Sequence, residues 1–445
     1  MILSWKLLKN RRELDLAITV IFSISNYCIY KLDNKIIWIV CSIFLLIYFL
    51  RKWKNLTLSL LFTTLIIISD YLFSINIKES HVDGMYEVCD VVGDKPVIKI
   101  DSTKVILNTF KYKDQFYKGD IIFVKGDAKI PYNFSDFDYV SYLKTHKIKL
   151  IVSYPQISFE SHSQTLHTQI MNYFQKYQNH FSKFGPLLLL GKKTIENNDI
   201  YQTSLSLNIV HLFVVSGFHL TLLYSLINYV LNKINKKFLL ANQLFGLIII
   251  CFYCYLLEFS ISSLRALLII IFSLVNKKFF NNKYNKISTL AIMALIFLIY
   301  NPYNIYSLSF IFTFLATFAI FLSNKIKFKN KLFNYLKAPL FAYSMNILIS
   351  IYINQIWSIF GLLFGIALTP LFVIMYILNI LLIWCPFILN YIYQGFEYIL
   401  ICYKTINISI YINFLDIKII QTVYSLLIGY LVISPKWNRS ITDNI

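Results

Sequence analysis

The nine residues His211-Leu212-Phe213-Val214-Val215-Ser216-Gly217-Phe218-His219 place two imidazoles, a hydroxyl and a glycine inside the apolar run Ile209–Leu231. That run is long enough to cross a bilayer, which takes about 20 residues. Polar groups at that depth are costly unless they face a cavity or a partner. On one continuous helix, His211 and His219 stand about 80° and roughly 12 Å apart. Ser216 and His219, three residues apart, face a common neighbour. Two readings follow. The knot lines a wet path and offers hydrogen bonds to a polar solute, or it bonds across helices and holds a bundle together. In either case Gly217 lets a neighbouring helix come close.

A second constellation is Ser262-Ser263-Leu264-Arg265-Ala266. Arg265 sits at a membrane boundary. Glu258, seven residues earlier, is about two helical turns away and could share its face. A snorkelling arginine or a structural ion pair is the plain alternative. Cys251 and Cys254 form a C-x-x-C, but inside an apolar span, where buried inert thiols are expected rather than a metal or redox site. Of seven cysteines only Cys89 falls in a soluble stretch, so no disulfide framework is implied. No cofactor or metal site is expected, and no G-x-x-x-x-G-K-[ST] phosphate loop occurs.

The elements that position these residues belong to a membrane protein. The chain has 445 residues, 57% hydrophobic and 14% charged, against about 25% charged in soluble domains. Apolar runs succeed one another from Asn208 onward. Three earlier spans are expected at Leu14–Tyr30, Ile36–Leu50 and Leu56–Phe73, with a basic tail and the basic loop Arg51–Lys54 on the cytoplasmic side. No small-residue cleavage site follows the basic N-terminal stretch, so the first span is read as retained. Later loops rich in lysine, Asn276–Lys286 and Ser323–Lys337, fall on the same side. The net charge of +20 is therefore mostly a topological signal rather than a nucleic-acid footprint. Lys, Asn, Ile, Phe and Tyr abound together, as in an AT-rich coding sequence, so the aromatic content carries no argument for base stacking.

Between Lys78 and Pro155 the helical period disappears. Short alternating runs appear at Tyr86–Val92, Val97–Ile100, Lys104–Thr109, Ile121–Lys125 and Ile148–Val152, separated by turn signals such as Gly93-Asp94. Five such runs predict a small β-barrel or sandwich. From Ser80 to Ser153 there are 11 lysines and 10 acidic residues, so this segment is near neutral. An amphipathic helix is expected next, with Ile170, Phe174, Tyr177, Phe181 and Phe184 on one side, lying on the membrane surface or packed on the barrel. Gly185–Gly191 is too short to span and reads as re-entrant or interfacial. Beyond Ala338 three or four more spans are expected, kinked at Pro370 and Pro386.

Several of these stretches resemble the membrane part of the ComEC family, the channel proteins of bacterial DNA uptake. Leu189-Leu190-Gly191 followed by His211–His219 is similar to the family's Leu-Leu-Gly segment and His-Leu-x-x-x-Ser-Gly-x-His core. Ser262–Ala266 resembles its Ser-x-x-Arg-Ala segment. Ser309–Thr317 resembles its Gly-Phe-Gln-Leu-Ser-Phe-Leu-Ala-Thr run, with Ser309, Ile311 and Thr313 in place of glycine, glutamine and serine. Gly361–Leu371 matches a glycine and Asn-Leu-Leu-x-x-Pro segment at Pro370, with Gly365 at the asparagine position. Phe137-Asp138-Tyr139-Val140-Ser141-Tyr142-Leu143 resembles a run in the family's OB-like domain. Many members continue into a metallo-β-lactamase-like domain; this chain has no His-x-His-x-Asp-His and no histidine after His219. Ser216-Gly217 also resembles the rhomboid proteases, but Val214 replaces their glycine and no later histidine follows.

The resulting expectation is a polytopic α-helical membrane protein of about 10–12 spans with an inserted, small β-rich OB-like extracytoplasmic domain. The divisions are 1–74 for N-terminal membrane helices, 75–160 for the OB-like domain, 161–204 for an interfacial connector and 205–445 for the helical channel. The resemblance implies an inner-membrane channel for single-stranded DNA in natural transformation, not an enzyme, with His211, Ser216, Gly217, His219, Arg265, Glu258 and Thr313 along the DNA path. It implies a DNA receptor and a cytoplasmic motor or strand-handling protein as partners beside the lipid bilayer, and it is compatible with a homo-oligomer. A small-solute permease and an intramembrane hydrolase are the alternatives. A large extracytoplasmic β-domain with little inverted-repeat symmetry speaks against the permease.

Overall fold

The computed structural model describes residues 19–24, 26–27, 53–74, 78–109, 116–133, 138–162, 165–194, 196–213, 215–324, 326 and 328–412. The expected span Ile36–Leu50, the N-terminal basic tail and Phe137 lie outside them. Of Leu14–Tyr30, residues 19–24 and 26–27 are described, and they are helical. The chain divides into two compact units. One comprises Met1–Thr64, Tyr177–Ile296 and Phe312–Ile445; the other comprises Leu65–Lys176 and Phe297–Ile311.

The second unit is built around a sheet. Helix α1 (Trp53–Ser74) leads into β1 (Ser80–Val92), β2 (Lys95–Ile100), β3 (Thr103–Leu107) and β4 (Ile121–Lys129). Helix α2 (Tyr139–Thr145), β5 (Ile148–Val152), β6 (Gln156–Ser161) and helix α3 (Leu166–Gln175) follow. The strand order is β1-β2-β3-β5-β4-β6, and β1 also pairs with β4, which closes five strands into a small barrel. The closed sheet resembles an OB fold. Gly93 and Asp94 both take positive φ, 57° and 63°, in the two-residue turn between β1 and β2. That is the turn whose twist suits a tight hairpin. Alternation along the strands sends Val82, Val88, Ile98, Val105, Leu107, Ile122, Val124 and Leu150 into one buried core. The five expected strands are all present, and β6 is an additional one. It is an exposed edge strand with only Ile157 packed against that core, so its short Ile157–Phe159 alternation lies outside the five runs read from the sequence.

Within the Phe137–Leu143 run, Tyr139–Leu143 is helical. Asp138 caps α2 by accepting from the Ser141 N–H at 3.0 Å, and Leu143 is fully buried. The loop after helix α10 (Lys286–Tyr300) seats this helix: Asn301 Nδ2 donates to the carbonyls of Lys144 and Thr145 at 3.0 and 2.9 Å.

The amphipathic helix expected through Phe184 is instead two short helices. Helix α3 stops at Gln175, Gln178 takes a φ of 44°, and α4 (His180–Gly185) starts anew under its Asn179 cap. Phe174, Phe181 and Phe184 are fully buried, so these rings pack on protein.

The first unit is helical. A buried π-helical turn (Pro186–Leu190) is followed by α5 (Asn198–Ser206), α6 (Val210–Phe213), α7 (Gly217–Ile234), α8 (Leu239–Leu256) and α9 (Ile261–Phe279). After α10 and α11 (Leu308–Ser323) come α12 (Lys331–Asn354), α13 (Gly361–Leu382) and α14 (Pro386–Ile406). Strand β7 (Ile356–Ser358) pairs with β8 (Ser409–Tyr411). Among the described residues, five segments are long and apolar enough to cross a membrane: Asn55–Ser74, Val210–Ile234, Lys236–Leu256, Lys331–Asn354 and Gly361–Leu382. Two shorter apolar helices, Lys286–Tyr300 and Leu308–Ser323, join them. This is a membrane protein with a β-domain.

Candidate functional site

The polar knot is not one continuous helix. Helix α6 ends at Phe213 and α7 begins at Gly217, with Ser216 extended between them at φ −98° and ψ 166°. Ser216 caps α7. Its N–H donates to His219 Nδ1 at 3.1 Å, and its Oγ lies 3.1 Å from the same nitrogen. This is a capping box with histidine in the position usually held by Glu or Gln. Ser216 and His219 are therefore each other's partners at the start of α7. Ser262 Oγ of α9 donates to the Val215 carbonyl at 3.0 Å and ties the break to a second helix.

Arg265, also on α9, is brought to the same place. It is only 6% exposed. Its Nη1 donates to the Thr313 carbonyl and to Thr317 Oγ1, both on α11. Its guanidinium lies 5.9 Å from the centre of the Phe314 ring. Its Nε is buried without a hydrogen-bond partner. A Cβ on Gly217 would stand 2.7 Å from Nη2, so glycine is what allows the start of α7 to lie against this cation. Thr313 contributes its backbone carbonyl, not its hydroxyl, to Arg265.

Glu258 is not part of that cluster. It sits in the turn between α8 and α9 at φ +52°, with Phe259 also left-handed at +48°. The helix needed to bring Glu258 under Arg265 is broken there, and its carboxylate pairs with Lys192. Among the described residues Arg265 has no carboxylate partner. His211 is also apart from the Ser216–His219 pair. It is exposed on α6, and its ring would stand 3.9 Å from a Cβ at Gly365 of α13. The break after Phe213 removes the common helix axis that was to relate the two histidines.

Residue types alone did not single out several of the neighbours. The His219 ring lies 4.8 Å from Tyr376 of α13. Tyr253 of α8 donates to the Leu189 carbonyl in the π-helical turn at 2.7 Å, and its ring is 6.5 Å from Tyr376. Thr317 and Ser262 were visible inside the quoted motifs, but only the fold gives them partners. Gly361 lets α13 start beside Asn208, where a Cβ would meet the Asn208 Cβ at 3.0 Å. Cys251 is exposed and Cys254 is buried on α8, and both thiols are free.

The chemistry available is hydrogen bonding and positive charge. The first turn of α7 leaves N–H groups without intrahelical partners, and the guanidinium stands beside it. A helix N-terminus and a cation both favour an anion.

A family model described as Competence protein matches residues 188–433. An uncharacterised protein of Mycoplasma genitalium is 30% identical over 211 residues, which is 46% of this chain and 53% of that protein. Its uncharacterised homologue in Mycoplasma pneumoniae is 30% identical over 147 residues, 33% of this chain and 37% of its own length. The matches thus span about half or less of these relatives. No solved structure matches the chain.

Proposed function

The chain belongs to the competence protein family, and from that membership, which points to DNA uptake in transformation, we propose an inner-membrane channel that conducts single-stranded DNA. The observation that carries the reading is Arg265, a buried cation with no carboxylate partner among the described residues, set beside the start of α7. Ionisable side chains at this depth are rare, pair with one another or with backbone carbonyls, and mark substrate and ion pathways. A polyanion crossing an apolar bundle needs cations and donors for its phosphates. Gly217 and Thr313 lie against that guanidinium, Ser216 and His219 cap the same helix start, and exposed His211 would meet the strand farther along α6. Glu258 acts at a distance, through Lys192. The β-barrel would face outward and receive the strand through stacking and backbone contacts, the usual mode of such barrels. A DNA receptor outside and a motor or strand-handling protein in the cytoplasm complete the route.

Catalysis is not part of the proposal. The Ser216–His219 contact has the reach of a hydrolytic dyad, but His219 Nδ1 already accepts the Ser216 N–H. Among the described residues no carboxylate orients His219, which such a dyad needs. Deleting the gene should abolish internalisation of DNA and leave surface binding intact. Normal internalisation in the deletion strain would refute the reading.

A further inference from the structure

Arg265 uses one edge of its guanidinium and leaves the other. Nη1 is committed to the Thr313 carbonyl and Thr317 Oγ1 of α11. These bonds hold the planar group in place. The opposite edge, Nε and Nη2, is the one that grips an oxyanion with two parallel hydrogen bonds. Here Nε is buried without a hydrogen-bond partner, and the hydrogen bonds of the group among the described residues both come from Nη1. Leaving a buried charged donor unsatisfied costs more than leaving a neutral one. A side chain kept only as a clamp between α9 and α11 would need Nη1 alone.

What the free edge faces is also particular. Nη2 points at Gly217, the first residue of the 18-residue helix α7. Any side chain there would collide with the guanidinium at 2.7 Å. Glycine keeps two positive features side by side, the fork of Arg265 and the N–H groups of a helix start. Like features repel unless an anion lies between them. The carboxylate that could have neutralised them, Glu258, is held by Lys192.

We infer that the Nε–Nη2 edge of Arg265 and the first turn of α7 form a seat for one phosphate oxyanion. Resting on the channel reading above, that anion is a phosphodiester of the passing strand. The seat reads backbone and not bases, so it is indifferent to sequence. It holds a single phosphate, as one fork and one helix start offer no second position.

The test uses the full chain in lipid nanodiscs and a fluorescent oligothymidylate, followed by anisotropy across a salt series. Gly217→Ala fills the space between the fork and the helix, and Arg265→Lys keeps the charge but loses the fork. Each should weaken binding roughly tenfold. Gly217→Ala, which keeps the phosphate out, should also lower the log–log salt slope by about 0.7, the value for one phosphate on a single strand, whereas Arg265→Lys, which keeps the charge, should leave the slope unchanged. A methylphosphonate oligomer, neutral at each linkage, should bind all three proteins alike. Should Gly217→Ala fail to fold, Arg265→Lys decides alone. If wild type binds the strand and both variants match it in affinity and slope, the seat is wrong and the channel reading stands. If wild type binds no strand but inorganic phosphate raises its unfolding temperature and not that of Arg265→Lys, the seat serves free phosphate and the channel reading falls. If neither probe acts on wild type, both fall.

Discussion

The β-barrel and the helical unit treat charge in opposite ways. In the barrel the core is apolar and most charges sit outside, paired with one another; the buried Asp120 carboxylate accepts from the Tyr117 N–H at 2.7 Å and meets His162 at 3.3 Å. Asp83 meets Lys125 at 3.2 Å, Asp90 meets Lys104 at 3.1 Å, and His81 meets Asp127 at 2.7 Å. Lysines also meet aromatic rings: Lys147 lies 3.3 Å from the centre of Tyr300, Lys144 4.8 Å from Tyr303, and Lys149 5.0 Å from Phe73. In the helical unit the surroundings are apolar, yet Arg265 is inside and meets only neutral groups. The barrel's charge serves the barrel. The charge in the helices is left over once folding has been served, and leftover charge in a costly place is where function is sought.

The sharpest way to break this contrast is to remove the leftover charge. Arg265→Met keeps most of the volume and leaves no donor or acceptor stranded. Thr317 Oγ1 already donates to the Thr313 carbonyl at 2.8 Å and would continue to do so. Replacing buried charge by apolar volume is often neutral or stabilising. The expected outcome is thermal stability within about 1 kcal/mol of wild type. Transformation frequency should fall by roughly a hundredfold or more, the scale of losing two charge-assisted hydrogen bonds. Stability measured in nanodiscs and uptake measured in cells separate the two effects. Collapse of both together would make Arg265 a structural clamp like the barrel's own pairs.

The same contrast explains what was legible in the sequence. Strands β1 to β5 announce themselves because one face is core and the other solvent, so period-two alternation survives. The turn at Gly93-Asp94 is local chemistry and reads directly. Strand β6 was hidden because its place is set by the edge of β4, not by its own residues. In the helices nearly every position is apolar, so periodicity gives spans but not breaks. The interruption before Gly217 depends on Ser216 and His219 acting as a cap, which inside an apolar run looks like two expensive side chains. Glu258 and Arg265 were paired by counting helical turns, and the count fails where Glu258 and Phe259 turn left-handed. Gly217 was marked as a site of close approach, but only tertiary structure shows that the visitor is a guanidinium. Tyr253 and Tyr376 carried no signal at all among 33 tyrosines.

A titration probes the barrel side of the comparison. Burial holds the His146 imidazole below its ordinary value of 6.5, partly opposed by nearby Asp90. As pH falls through 6.5, the unfolded chain takes up the proton first and the folded barrel does not. Stability therefore declines with falling pH below that value and is fully present above it. One proton limits the slope to about 1.4 kcal/mol per pH unit. Hydrogen exchange of barrel amides between pH 7.5 and 5.5 should show the loss, and His146→Gln should flatten it. An unchanged slope in that variant would assign the acid sensitivity to another group.

The smallest effect is expected where the barrel's pairing is most visible. Lys125 and Asp83 are both about half exposed, on neighbouring strands β4 and β1 with directly opposed register. An exposed pair gains little from Coulomb attraction in water and loses side-chain freedom. Lys125→Ala should change barrel stability by less than about 0.5 kcal/mol. Its effect on uptake carries more information. If strand reception outside depended on a basic track, losing one of its few lysines would lower uptake and its salt dependence together. The near balance of 11 lysines against 10 acidic residues from Ser80 to Ser153 argues for no change. A clear drop in transformation with Lys125→Ala, at unchanged stability, would show that a charge paired within the barrel is also offered to the strand. The division between a self-satisfied barrel and a bundle with charge to spare would then fail.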